Sequence, residues 1–327
     1  MVKELIAIAI SNYQTPEPPM SKDKYKVTNW SVYNNGLKKR GAINLWICSN
    51  LSEQWSWKGK SKCGGQYEYS DVAIELCLTI GKVYGLALRQ TEGFISSFFE
   101  QCGWELPVPS YTTLCRRSKG LRVDLRSRKR SGITDIVVDS TGLKVYGEGE
   151  WKVRKHGAGK HRTWMKMHLA IDAESQQILG VNLTSNSVED SSAGIPLIRS
   201  MKFRIGSLKG DGGYDKHKFR EVLKGRNIVQ VIPPQSNAVI NKKGLDYLIE
   251  RNEAIKKIKR LGRKKWKQQS GYHQRSKVET AMFRYKAIIG DHLSAREVSH
   301  QQTEVAIGCK ILNVMLQVAK PISIKVN

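Results

Sequence analysis

The chain has 327 residues, 40% of them hydrophobic, and a formal net charge of +26. Such a length and apolar content allow a sizeable core and two domains, and they exclude a disordered tail. A cationic excess this large implies a polyanionic partner, with nucleic acid the first candidate and an anionic membrane the second.

Residues 1–20, with Pro16, Pro18 and Pro19 near their end, read as a loose extension. Within it, the apolar run 5–10 is too short to span a bilayer, which weakens the membrane reading. Cys48, Cys63, Cys77, Cys102, Cys115 and Cys309 are scattered with no Cys-x-x-Cys pair. Neither a zinc site nor a disulfide framework is therefore expected, and a reducing cytoplasm fits best.

Between residues 25 and 57, cations alternate with aromatics: Lys26, Trp30, Tyr33, Lys38, Lys39, Arg40, Trp46, Trp55 and Trp57. This mixture suits phosphate neutralisation and base stacking, and it equally suits tryptophans that fill a small core. The dense apolar residues of 70–80 predict a buried helix, and Phe94, Ile95, Phe98 and Phe99 form the apolar side of a second one at 90–102. After a break at 106–109, Ser110 can cap a short third helix that carries Arg116 and Arg117. Helix, turn and short basic helix resemble a helix-turn-helix in outline, which makes Arg116 and Arg117 candidate DNA contacts. Residues 116–130 hold eight Lys or Arg against one Asp, as a solvated linker or a track for a phosphate backbone.

From residue 131 the texture changes. Ile136, Val137 and Val138 predict a short buried strand ending at Asp139, with Ser140, Thr141 and Gly142 as a turn. Residues 163–172 alternate strictly, with Met165, Met167, Leu169 and Ile171 on one face and Lys166, His168 and Asp172 on the other. A turn at 174–177 leads to a returning strand at 178–184. A helix at 192–202, a strand at 205–209, a helix at 216–224 and a strand at 228–232 follow. A three-strand meander followed by alternating strand and helix is the order of a ribonuclease-H-like mixed sheet. The expected division is an extension at 1–20, a mainly helical DNA-binding region at 21–130 and an α/β catalytic domain at 131–327.

Residues 251–286 carry thirteen Lys or Arg against two Glu, the largest single basic concentration of the chain. At its end, a uniform helix would place Tyr272, Arg275, Glu279 and Lys286 on one arc, beside an apolar stripe of Val278, Met282, Tyr285 and Ile289. Glu279 could instead close a capping box with Ser276. In the proposed sheet the first and fourth strands are neighbours, so Asp139 and Asp211 lie close, and a helix across that end adds Glu279. Three carboxylates in a basic surround suit Mg²⁺ or Mn²⁺, and two such ions suit in-line phosphoryl transfer.

The order Tyr272, Arg275, Glu279, Lys286 resembles the Y-R-E-K signature of bacterial insertion-sequence transposases with a DDE active site, and the surrounding 271–282 resembles insertion sequence family five. Further agreement lies in Asp139-Ser140-Thr141-Gly142-Leu143-Lys144, in Gly149 to Lys152 with Lys155 to Gly157, in Lys166 to Asp172, and in Asp211 to Asp215. The resemblance covers the chain from about Met20 onward, with Gly213 standing where the group more often has Ala. It implies that Asp139, Asp211 and Glu279 bind two Mg²⁺ or Mn²⁺ ions and catalyse cleavage, and that Tyr272, Arg275 and Lys286 hold the DNA end. The implied partners are double-stranded terminal inverted repeats and target DNA, with a homodimer or larger assembly and no membrane. The implied location is the bacterial cytoplasm, on the nucleoid. A catalytically inactive descendant that only binds DNA, or a nuclease that cuts without joining, stands as the alternative.

Overall fold

The computed structural model describes residues 24–48, 50–60, 64–125, 132–145 and 164–326. The extension at 1–20, most of the basic run after 125, and the motifs between Gly149 and Gly157 lie outside them.

The central sheet has six strands, five of them in the order β4-β3-β2-β5-β6: β2 (Thr134–Val145), β3 (Trp164–Asp172), β4 (Ile178–Ser185), β5 (Ile205–Lys209) and β6 (Val229–Val231), with a short sixth paired to β2. The first three pair antiparallel and the last two join in parallel, which is the ribonuclease-H-like arrangement. The parallel half needs crossovers. Helices α6 (Asp190–Ser200) and α7 (His217–Gly225) supply them.

Two cores sandwich this sheet. On one face Val137, Leu143, Met167, Leu169 and Ile171 pack with Val278, Met282 and Tyr285 of the late helical stretch. On the other, Ile136, Val138 and Ala170 pack with Leu197, Ile198, Phe219 and Leu223 of the crossover helices. The second face of β3, expected outward, is largely covered as well: His168 is buried against Thr184, and Asp172 is buried and accepts from the Glu174 amide and the Ser175 hydroxyl, while Lys166 stays partly exposed. A second correction concerns Ser140-Thr141-Gly142. The residues are not a turn; β2 runs straight through them, each paired with β3. Glycine serves there as space, because a Cβ on Gly142 would come within 3.3 Å of the Trp164 ring.

The N-terminal region is helical. A short strand β1 (Lys24–Val27) leads to α1 (Trp30–Arg40), α2 (Leu51–Trp55), α3 (Asp71–Val83), α4 (Leu88–Cys102) and α5 (Tyr111–Ser118). Its own core holds Trp55, Ile74, Ile80, Ile95, Phe99 and Leu114. As expected, Ser110 caps α5 by accepting from the Thr113 amide. The linker between α4 and α5 spans 103–110, longer than the three or four residues of a tight helix-turn-helix turn. The tryptophans divide between the two readings: Trp55 is fully buried with its indole N–H on the Pro107 carbonyl, while Trp30 is 58% exposed.

One helix ties the helical region to the sheet. Helix α11 (Val298–Val318) sets Val305, Cys309 and Leu312 into the sheet core and Ile307 and Ile311 against Trp46. A helix apolar on so many sides belongs in an interior. Lys82 pairs with Glu304 at 2.8 Å, and Lys310 with Glu75. Asn313 completes the start of β4, accepting from the Ile178 amide and donating to the Ile178 carbonyl, both at 2.8 Å. Beyond α11, β8 (Ser323–Val326) pairs antiparallel with β1, joining the described ends of the chain.

Candidate active site

The site begins with an interruption along one edge of β2. Strand β5 follows that edge only as far as Val137, and the short strand β7 (His292–Leu293) resumes it at Lys144. Asp139 stands in the open stretch between, at the edge of the sheet core. Its Oδ1 accepts from the Ser140 amide at 2.8 Å.

Asp211 follows the end of β5 and caps a single 3₁₀ turn, Gly212–Tyr214, with Oδ1 accepting from the Gly213 amide at 2.9 Å. A Cβ on Gly213 would lie 3.0 Å from that oxygen, so glycine here leaves the carboxylate room to settle. The rival acids of the same region have other partners. Asp215 is buried and accepts from Arg220 Nε at 2.8 Å and Arg251 Nε at 2.9 Å. Asp190 pairs with Lys166 at 3.2 Å.

Glu279 comes from the opposite side. The stretch read as one helix is three: a 3₁₀ segment Tyr272–Arg275, the α-helix α10 (Ser276–Arg284), and a π-turn Tyr285–Ile289 that holds Lys286. Its change of pitch shifts Lys286 from the arc that a uniform helix would give, and π-turns recur at functional sites. The apolar stripe survives: Val278, Met282 and Tyr285 are buried and Ile289 packs against them. A capping box does not form. Ser276 donates to the His273 carbonyl, and Glu279 meets Arg275 instead.

Arg275 is the centre of the arrangement. Its Nη1 donates to Asp139 Oδ2 at 2.6 Å, and its Nη2 donates to Glu279 Oε1. Side-chain exposure is 16% for Asp139, 23% for Arg275 and 53% for Glu279. Burial pushes the Asp139 carboxyl above its ordinary range and the charges of Asp211 and Glu279 add to that, against the Ser140 amide and Arg275. Burial works against the Arg275 cation, but Asp139 leads a set of anions that outweighs it and holds the guanidinium above its usual range. Desolvation, with help from the same three carboxylates, raises Tyr272 and keeps its phenol protonated. Tyr272 rests against Trp266, ring centroids 6.0 Å apart, with the Lys267 ammonium 5.2 Å from its ring centre.

Asp139, Asp211, Glu279, Tyr272 and Arg275 thus share one electrostatic site at the ends of the parallel strands. Among the described residues, however, no three His, Cys, Asp or Glu side chains stand close enough to hold a metal ion together. The Arg275 guanidinium fills the space between Asp139 and Glu279, so the cation now on those oxygens is a side chain. The donor set, three carboxylates with soft ligands absent, is of the type that takes a hard divalent ion.

The two arginines of α5 lie elsewhere and differ. Arg116 is exposed. Arg117 turns inward: it pairs with Asp71 at 2.6 Å, donates to the Tyr69 carbonyl at 2.8 Å, covers the Tyr67 ring at 4.0 Å and keeps 11% exposure. No sequence pattern signals the buried pairing of Asp215, Arg220 and Arg251, because its members are 36 residues apart at the widest.

Comparison with known families adds an independent line. Residues 38–148 match one family described as Transposase DDE domain, and residues 130–314 match a second family of the same description. The second match covers more than half of the chain and spans the entire sheet together with Asp139, Asp211, Arg275 and Glu279. With this fold and this carboxylate site, the chain belongs to the DDE transposases.

Proposed function

We propose that this protein cuts and joins DNA strands at the ends of a mobile element, with Asp139, Asp211 and Glu279 as the ion-holding carboxylates. The observation that carries the reading is the pairing of Asp139 and Glu279 with Arg275, beside an open edge of β2 and within electrostatic range of Asp211, in a chain that belongs to the DDE transposases. When bound, Mg²⁺ or Mn²⁺ at two positions supplies charge neutralisation for the attacking and leaving oxygens of a phosphodiester. A water oxygen attacks the phosphorus at the element's end and the 3′-oxygen leaves and takes a proton; the freed 3′-hydroxyl then gives up its proton, attacks a phosphorus of the target duplex and displaces that strand's 3′-oxygen, which is protonated in turn. Tyr272, Arg275 and Lys286 hold the DNA end by its phosphates, which positions without reading sequence. Residues 21–130 bind the terminal inverted repeats, and the joining of two ends assembles a homodimer or larger complex. The protein works in the cytoplasm on chromosomal DNA; among the described residues no helix is long and apolar enough to cross a membrane.

Incubating the purified chain with Mg²⁺ and a duplex that carries the DNA flanking the coding region should give a cut with a free 3′-hydroxyl. An uncut duplex with both Mg²⁺ and Mn²⁺ would reject the reading.

Arg275 has two successive duties in this scheme. It neutralises Asp139 and Glu279 before ions arrive, and it then turns to the DNA phosphate. Ion and guanidinium compete for the same oxygens, so Arg275→Ala should bind Mn²⁺ about tenfold or more tightly, since a hydrogen bond to a charged group contributes roughly 1.5–3 kcal/mol. Electron paramagnetic resonance titration of free Mn²⁺ measures this without DNA. Equal affinity in parent and variant would exclude the competition.

A further inference from the structure

Helix α8 (Ile249–Leu261) and helix α9 (Arg263–Gln269) form a basic shelf. Lys256, Lys257, Lys259, Arg260, Arg263, Lys264, Lys265 and Lys267 are all exposed, with no acid between the first and the last. Among the described residues none of the eight forms an ion pair, although like charges three or four residues apart along a helix repel each other. Nothing within the described chain offsets that repulsion.

The shelf is firmly seated. Ala254, Ile255 and Trp266 are buried beneath it, and Glu250 accepts from the Gln230 amide on β6 at 2.6 Å. Arg263 donates to the Pro234 carbonyl just past β6, and Arg251 reaches Asp215 just past Asp211. Those contacts put the junction of α8 and α9 at the same end of the parallel strands as Asp211. Lys267 lies over the Tyr272 ring, so cations of the shelf stand both beside the carboxylate site and at the end of β6.

We propose that this shelf carries the backbone of the second duplex in the reaction, the one that receives the freed 3′-hydroxyl. The inference rests on the strand-joining reading and adds the surface that takes the receiving DNA. Duplex DNA presents one negative charge per about 1.7 Å of its axis, dense enough to meet eight cations over two short helices. Six of the eight are lysines, and Trp266, the aromatic within the shelf, is buried. A surface of ammonium groups contacts phosphate and carries no base readout, which fits a duplex of arbitrary sequence.

The test compares two fourfold Gln variants by fluorescence anisotropy on a duplex of scrambled sequence, across a salt series. One neutralises Lys256, Lys257, Arg260 and Lys264. The other neutralises Arg199, Lys202, Arg204 and Lys224, exposed residues around the opposite end of the parallel strands β5 and β6. The shelf variant should lower the slope of log affinity against log salt by about 3–4, with the opposite-rim variant close to the parent. Equal losses in the two variants would mean that net charge alone matters and would overturn the proposal, as would an unchanged slope in the shelf variant. Loss of binding to anionic lipid vesicles with duplex binding intact would overturn it in favour of a membrane surface. In a joining assay into a scrambled-sequence plasmid, the ratio of joined to cut product should fall about tenfold or more; a proportional fall of both products would assign the shelf to the cut end and overturn it. If the parent chain cuts nothing, the carboxylate reading fails separately, and the anisotropy slopes still decide the shelf.

Discussion

Asp139→Asn should remove strand cleavage by about 10³-fold or more while terminal-repeat binding stays near the parent value. A carboxylate that holds a catalytic ion contributes several kcal/mol of charge stabilisation in the transition state, and each 1.36 kcal/mol is a factor of ten. The fold should tolerate the change. Asparagine matches the shape, its amide oxygen can still accept from the Ser140 amide, and burial opposes the charged form of Asp139 in the first place. Single-turnover cleavage of an end-labelled duplex in Mg²⁺, beside a gel-shift measurement of binding, separates the two effects. Full cleavage by the variant would remove Asp139 from the chemistry, and loss of binding in step with cleavage would make it a structural residue.

The second large effect falls on stability. Asp215→Ala should lower the unfolding free energy by about 3–5 kcal/mol, because it leaves a buried guanidinium without its anion. Arg220 is fully buried, and burial pushes its pKa down against the pull of Asp215. The same carboxylate also accepts from Arg251 and, at 3.1 Å, from the Gln235 amide. Three segments after Asp211 therefore lose their common partner at once. Urea unfolding followed by circular dichroism reports the change. Exchanging Asp215 and Arg220 together for Leu and Met should recover much of it, since the cost lies in the orphaned charge. A midpoint equal to that of the parent would show that water reaches Arg220 and that the pair contributes little.

The comparison of Asp211 with Asp215 shows how far the sequence can be read. Both follow β5 within six residues of Lys209, and glycine spacing alone leaves either one eligible. Only the return of α7 and α8 decides between them, because Arg220 and Arg251 arrive from later in the chain and occupy Asp215. The strands were more legible. The limits of β5 follow from an apolar run of strand length, a local property. Ser140-Thr141-Gly142 misled because a turn-forming composition cannot show that Trp164 on the neighbouring strand needs the space over Gly142.

The amino-acid order by itself determined the strand sequence of the central sheet, the buried stripe of α10 and the basic stretch after residue 250. Each of these depends on neighbours a few residues away, through side-chain period and local charge. The tertiary structure alone decided that Arg275 bridges Asp139 and Glu279, that Arg117 faces inward, that α11 is shared by the helical region and the sheet, and that the cations of α8 and α9 line the same rim as Asp211. Those outcomes depend on which surfaces meet after the chain has closed over distances of a hundred residues or more, and no local pattern encodes that meeting.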